Sequence, residues 1–205
     1  VIVRGNRISR SAYSAIRGNS ASNIQITGNI ATDSGEVAIY SEFGFEGAVI
    51  ANNTVDGATL GISVVNFNEG GRLAVVQGNL IRNIKIRNPA SSGPGDGPAT
   101  GIAIEADAAV TGNVIENVPK TGIAVGWGAY LRDVAVTGNV VRGARIGIGV
   151  QVVKGAGTAV ISGNLIAETG LGAIVGMDHG KPLSGDLSLE PARYANLQIS
   201  GNRVR

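Results

Sequence analysis

From Asp133 to Ala156 the apolar residues come in three short bursts separated by small and polar ones. Val134 and Val136 alternate about Ala135, the period of a strand buried on one face. Thr137-Gly138-Asn139 interrupts the pattern and Val140-Val141 resumes it. Arg142-Gly143-Ala144-Arg145 interrupts again, and Ile146, Ile148 and Val150 alternate once more. This spacing predicts three short strands joined by turns. No stretch holds a 3.6-residue period long enough for a helix, and glycine recurs too often inside the periodic segments.

The same unit recurs along the whole chain. Its marker is an asparagine at positions 6, 29, 53, 79, 113, 139, 164 and 202, preceded by glycine everywhere except at Asn53, which follows Asn52. The gaps are 23, 24, 26, 34, 26, 25 and 38 residues. A fixed period in this range signals stacked repeats. The pattern therefore predicts an all-β, single-stranded parallel β-helix of about eight coils, the first and last incomplete, with three short strands per coil. Stacked coils lie about 4.8 Å apart, so equivalent residues form columns. Ile16, Ile39, Ile62, Ile102, Ile123, Ile148 and Ile174 are expected to fill one inward column. The asparagines are expected to form a hydrogen-bonded ladder at one corner, where glycine or asparagine tolerates positive φ. One outward column of the first strands reads Ile2, Gln25, Val49, Val75, Ala109, Ala135, Val160 and Gln198, a flat and partly apolar face.

Residues 1–205 thus read as a single domain, expected to be the C-terminal part of a longer chain because Val1 opens in mid-repeat. Two insertions break the period. One at 87–99 is rich in Pro, Gly and Ser; the other at 178–194 begins Asp178-His179-Gly180-Lys181. Upstream coils or another subunit are expected to cover the N-terminal strand edges and the flat face, since open edges need covering.

Composition narrows the classes. Hydrophobic residues make up 43%, enough for a core, and aromatics only 4%. Seventeen basic against fifteen acidic residues leave +2, too small and too scattered to argue for nucleic acid. Cysteine is absent, which excludes disulfides and thiolate metal sites. No apolar run approaches the length of a membrane-spanning helix, so membrane insertion is not expected.

Candidate chemistry collects just past the ends of the third strands. There lie Tyr40, Glu42 and Phe43; Asn66, Asn68 and Glu69; Glu105; Trp127 and Tyr130; Gln151 and Lys154; and Asp178, His179 and Lys181. Ring faces and carboxylates along one edge suit the apolar and hydroxyl surfaces of a sugar, so a polysaccharide is the expected partner. His179, with Asp178 and Lys181, is the one cluster resembling an acid–base site, since proton abstraction beside a uronate carboxylate needs a base and a neutralising cation. Calcium through Glu42, Glu69 and Glu105 is conceivable on residue type alone, but their separation leaves no cofactor and no metal site predicted. Phosphate loops and serine triads are absent.

The stretch from Ser41-Glu42-Phe43-Gly44-Phe45-Glu46-Gly47 through Asn52-Asn53, continuing to Asn68-Glu69-Gly70-Gly71-Arg72, resembles a bacterial family of twin-arginine-translocated β-helix repeat proteins. The closing Tyr194-Ala195-Asn196-Leu197-Gln198-Ile199-Ser200-Gly201-Asn202 is similar to that family's C-terminal end. The resemblance implies a right-handed parallel β-helix exported in folded form to the periplasm or cell envelope, and carries no catalytic residues. More distantly the chain is similar to pectate lyases and alginate C5-epimerases, whose Asp-Pro-His motif is only partly matched by Asp178-His179. The favoured function is an exported, non-catalytic module that binds envelope polysaccharide or serves structurally. The alternative is a lyase or C5-epimerase acting on a uronate polymer at His179, with Glu105, Lys154 or Lys181 assisting.

Overall fold

Every coil places its first strand in one parallel sheet, because the alternating apolar residues before each Gly-Asn phrase bury one face. The computed structural model describes residues 1–65, 72–87 and 97–205. Eight strands run in order from Ile2–Arg4 through Ile24–Thr27, Glu46–Ala51, Arg72–Gln77, Ala106–Thr111, Arg132–Thr137 and Ala159–Ser162 to Leu197–Ser200. Their register puts Gln25, Val49, Val75, Ala109, Ala135 and Val160 in one outward column, as the sequence pattern predicts.

The remaining strands form a second sheet, and here three separate strands per coil are seen only in the earlier coils. In the later coils the second and third strands run on as Val114–Val125, Val140–Gln151 and Leu165–Asp178. Register shifts between Val118 and Thr121 and between Ala144 and Ile146 absorb the bend. A bulge lets pairing continue around a corner that the sequence marks as a break. The solenoid makes about six turns rather than eight. The asparagine count overstates it because the first and last phrases sit in end coils, whose first strands pair on one side only among the described residues.

The core follows the expected columns. Ile39, Ile62, Ile102, Ile123, Ile148 and Ile174 pair successively in register and are fully buried. At the corner the asparagine ladder is continuous. Each side chain's Nδ2 donates to Oδ1 of the next, from Asn6 through to Asn202, at 2.9–3.0 Å. Each Oδ1 from Asn29 onward also accepts the backbone N–H of the preceding asparagine. The second Nδ2 hydrogen goes to a first-strand carbonyl one coil back, as from Asn113 to Val76 at 3.0 Å. A buried amide with every donor and acceptor engaged costs little to bury and fixes the stacking register. The residue before each asparagine takes the turn. Gly78 has φ +62°, and Asn52 stands in that position with φ +56°, which asparagine tolerates better than other side chains.

A second ladder follows on the outer surface. Asp56, Arg82, Glu116 and Arg142 stack in register with alternating charge, and Arg142 also reaches Glu168 at 3.1 Å.

The insertion expected as a loop at 178–194 is in part a strand. Lys181–Asp186 folds back antiparallel on Leu165–Asp178 through a two-residue turn at His179-Gly180. It covers the free edge of the last third strand and tucks Leu187 into the core. Asp186 fastens the hairpin by accepting from the backbone N–H groups of Ala173 at 2.7 Å, Ser188 at 2.9 Å and Ile174 at 3.2 Å. Of the other insertion, only its flanks are described, closed by Gly97 N–H donating to the Ile86 carbonyl at 2.7 Å. No helix among the described residues is long and apolar enough to cross a membrane.

Candidate functional site

Outside the isoleucine column, the third strands present an outer face that carries Arg17, Tyr40, Ser63, Ala103, Ala124, Gly149 and Val175 in successive register. Large polar groups occupy its early part and small residues its middle. Where the side chains shrink, a cleft of about 460 Å³ opens.

Its floor is Thr121, Ala124, Ile146, Gly149 and Met177. Gly149 sets the depth, because a Cβ there would lie 3.2 Å from Met177 Cγ and 3.4 Å from Thr121 Cγ2. Lys120 and Arg145 stand at the bends that lead into the third-strand segments; Trp127 and His179 follow theirs, and Gln151 ends its own. Cations and aromatics therefore line opposite ends of the same short strands. Gly97-Pro98 and Gly180 with Pro182 bring both insertions to the rim. No carboxylate lines the cleft among the described residues. Lys120 Nζ donates to the Gly97 carbonyl at 3.3 Å, while Arg145 is exposed at the rim.

The aromatic wall is held by a buried amide. Gln151 Oε1 accepts from the backbone N–H of His179 at 2.7 Å and of Gly128 at 3.2 Å, and its Nε2 donates to the His179 carbonyl at 2.9 Å. The Trp127 ring and the His179 ring then meet edge to face with centroids 4.9 Å apart. His179 Nδ1 is 2.6 Å from Asp178 Oδ1. Its Nε2 lies against Gly128, where a Cβ would come within 2.6 Å and where φ is +57°, so glycine is required twice over. Both imidazole nitrogens are thus turned toward the protein.

The sequence-predicted stripe divides into two groups. Trp127, Gln151 and His179 come together in the cleft, with Asp178 bonded to the last. Lys181 pairs opposite Asp178, and Tyr130 and Lys154 are exposed; none of the three lines the cleft. Nearer the N-terminus, Glu42 is buried and ion-paired with Arg17, whose guanidinium sits 5.4 Å above the Tyr40 ring. Burial, reinforced by the Glu42 charge and hydrogen bond, pushes the Tyr40 phenol up to about 12. Phe43 is partly exposed at a positive φ of 58°, and Glu105 is buried. Asn66, Asn68 and Glu69 lie outside the described residues. Among the described residues no three histidine, aspartate or glutamate groups converge as cation ligands. Lys120, Arg145 and Pro98 are additions. The signal that could have found the two cations is the position just before the third-strand segment, where Lys120 and Arg145 stand in two successive coils.

The fold and the cleft define a parallel β-helix solenoid with a cation-and-aromatic groove on its third-strand face. Residues 1–141 match the family model "Right handed beta helix region", and the chain belongs to that family. Among solved structures it is similar to an alginate lyase from Paenibacillus sp. str. FPU-7, with TM-score 0.58 and 16% identity, over 99% of this chain and 71% of that one. At this identity the likeness is one of fold. No curated protein matches the chain.

Proposed function

We propose that this protein is a non-catalytic binding module for an acidic polysaccharide, gripped in the cleft between Lys120 and Arg145 at one end and Trp127 and His179 at the other. The observation that carries this reading is the lining: two cations, an aromatic wall and an apolar floor, with no carboxylate among the described residues. A uronate residue offers a carboxylate for Arg145 or Lys120 and an apolar ring face for Trp127, and arginine suits a planar carboxylate. Two carboxylates flanking a glycosidic bond, the usual requirement for hydrolysis, do not line this cleft among the described residues. Export in folded form to the periplasm or envelope belongs to the same proposal, on the resemblance of the Ser41–Arg72 stretch.

The test is a glycan array carrying polygalacturonate, alginate and neutral glucans, probed with the wild type and Trp127→Ala. Binding to the uronate polymers that weakens in the variant supports the reading; absence of any glycan signal sinks it.

A second reading, a polysaccharide lyase or C5-epimerase, is favoured by one observation: His179, bonded to Asp178, shares its cleft with Arg145 and Lys120. The alginate lyase of like fold is consistent with it. That reading requires unsaturated uronate to accumulate, or uronate epimers to form, and the product to vanish in His179→Ala.

A further inference from the structure

We infer that Gln151 is the positioning residue of the cleft, setting the spacing of the two turns that carry Trp127 and His179 without being the group that grips the ligand. The residue is 2% exposed, yet it borders the cleft and stands at the middle of the aromatic wall. The carboxamide makes three hydrogen bonds, all to backbone, and they go to two turns that are remote in sequence. One is the short 3-10 turn Gly128–Tyr130, which follows Trp127; the other is the His179-Gly180 turn of the capping hairpin.

Each turn needs such a tie. Trp127, the residue preceding the 3-10 turn, has no side-chain cap, and Gly128 sits at positive φ. His179 has φ +51°, in a region that ordinary side chains avoid unless the surroundings hold them there. A single Oε1 accepts both N–H groups, so the two turns share one acceptor and cannot separate without stranding a buried donor. Amide geometry also demands both functions at once, acceptor toward the two N–H groups and donor toward the His179 carbonyl. Glutamine supplies both, and an ionised glutamate supplies only the first.

That the spacing serves an acidic glycan rests on the proposed function; that Gln151 fixes the spacing does not. The test separates the two, because Trp127 and His179 are the only tryptophan and the only histidine in the chain. Their contact is readable by NMR on ligand-free protein, as the ring-current shift on the His179 carbon-bound protons. In Gln151→Met the shift is expected to collapse toward that of Trp127→Ala. Amide exchange at Gly128 and His179 should accelerate roughly tenfold or more while the asparagine-ladder amides stay protected. Binding of oligogalacturonate, as a separate arm, should weaken roughly tenfold.

Should Gln151→Met not fold, Gln151→Glu carries the test. Protonated, its carboxylic acid both donates and accepts like the amide; ionised, it cannot donate to the His179 carbonyl. Its ring-current shift should match the wild type in acid and depart from it as pH rises, after subtraction of the wild-type titration. An unchanged shift and unchanged exchange in Gln151→Met, or a Gln151→Glu profile superimposable on the wild type, would overturn the inference. Loss of the shift without any glycan binding in the wild type would retain the clamp and discard the proposed ligand.

Discussion

Trp127 and His179 belong to turns that leave alternate coils, yet their rings meet with centroids 4.9 Å apart and planes at 85°. Edge-to-face pairs of this kind are favourable but modest, about 0.5–1.5 kcal/mol beyond the area they bury. Trp127 is 44% exposed, so the fold depends on it little. Trp127→Ala is expected to leave the melting temperature nearly unchanged and to weaken binding of oligogalacturonate roughly tenfold. Isothermal titration alongside a thermal melt checks both halves.

Arg145 supplies charge at the opposite end of the floor. Arg145→Gln should weaken binding to uronate polymers and flatten the dependence of affinity on salt, since one exposed charge–charge contact is lost. Binding measured at two ionic strengths for wild type and variant provides the comparison. An equal salt slope in both would show that the cation is not in the contact.

The asparagine ladder should be strongest in its middle. Asn113 is fully buried and holds Asn79, Asn139 and the Val76 carbonyl together. Asn113→Ala strands several buried polar groups at once, and a loss of about 3 kcal/mol or more is expected. Asn6 is exposed at the end of the stack, and Asn6→Ala should cost below about 1 kcal/mol. Urea denaturation of the two variants reads the difference.

Asp186 makes the capping hairpin sensitive to acid. Burial opposes its ionisation, but hydrogen bonds from the Ala173 and Ser188 amides, the Ser188 side chain and the Ile174 amide outweigh this and hold the carboxyl below its usual range. A carboxylate lowered by folding contributes stability at pH values above its unfolded pKa, and loses it as pH falls through the folded value. Asp186→Asn should therefore melt below the wild type at neutral pH, with the gap closing as pH falls below the usual carboxylate range. Melts across that window check the sign.

Much of the architecture could be read from residues. The asparagine spacing predicts the register that Ile39, Ile62, Ile102 and Ile123 adopt, because a buried column tolerates no slip when side chains alternate. The capping strand Lys181–Asp186 was not legible. Pro182 lowers the expectation of a strand, yet an edge strand accommodates it. The candidate stripe was half legible for a related reason. Looking past the strand ends finds Trp127 and His179 but misses Lys120 and Arg145, which sit at the bends into the third-strand segments and border a floor kept low by Gly149 and Ala124. Gln151 reads as a surface ligand group from its position. Its burial follows from the hairpin that folds over it, which is tertiary information.

The central claim is that the cleft beside Trp127 and His179 is where an acidic glycan binds. The most direct test follows the resonances of the single histidine while oligogalacturonate is titrated into the wild-type protein, with a neutral glucan oligomer as control. The account predicts a saturable shift of the His179 ring protons with the acidic oligomer, and none with the neutral one. Saturable binding that leaves those protons unmoved would place the ligand elsewhere and contradict it.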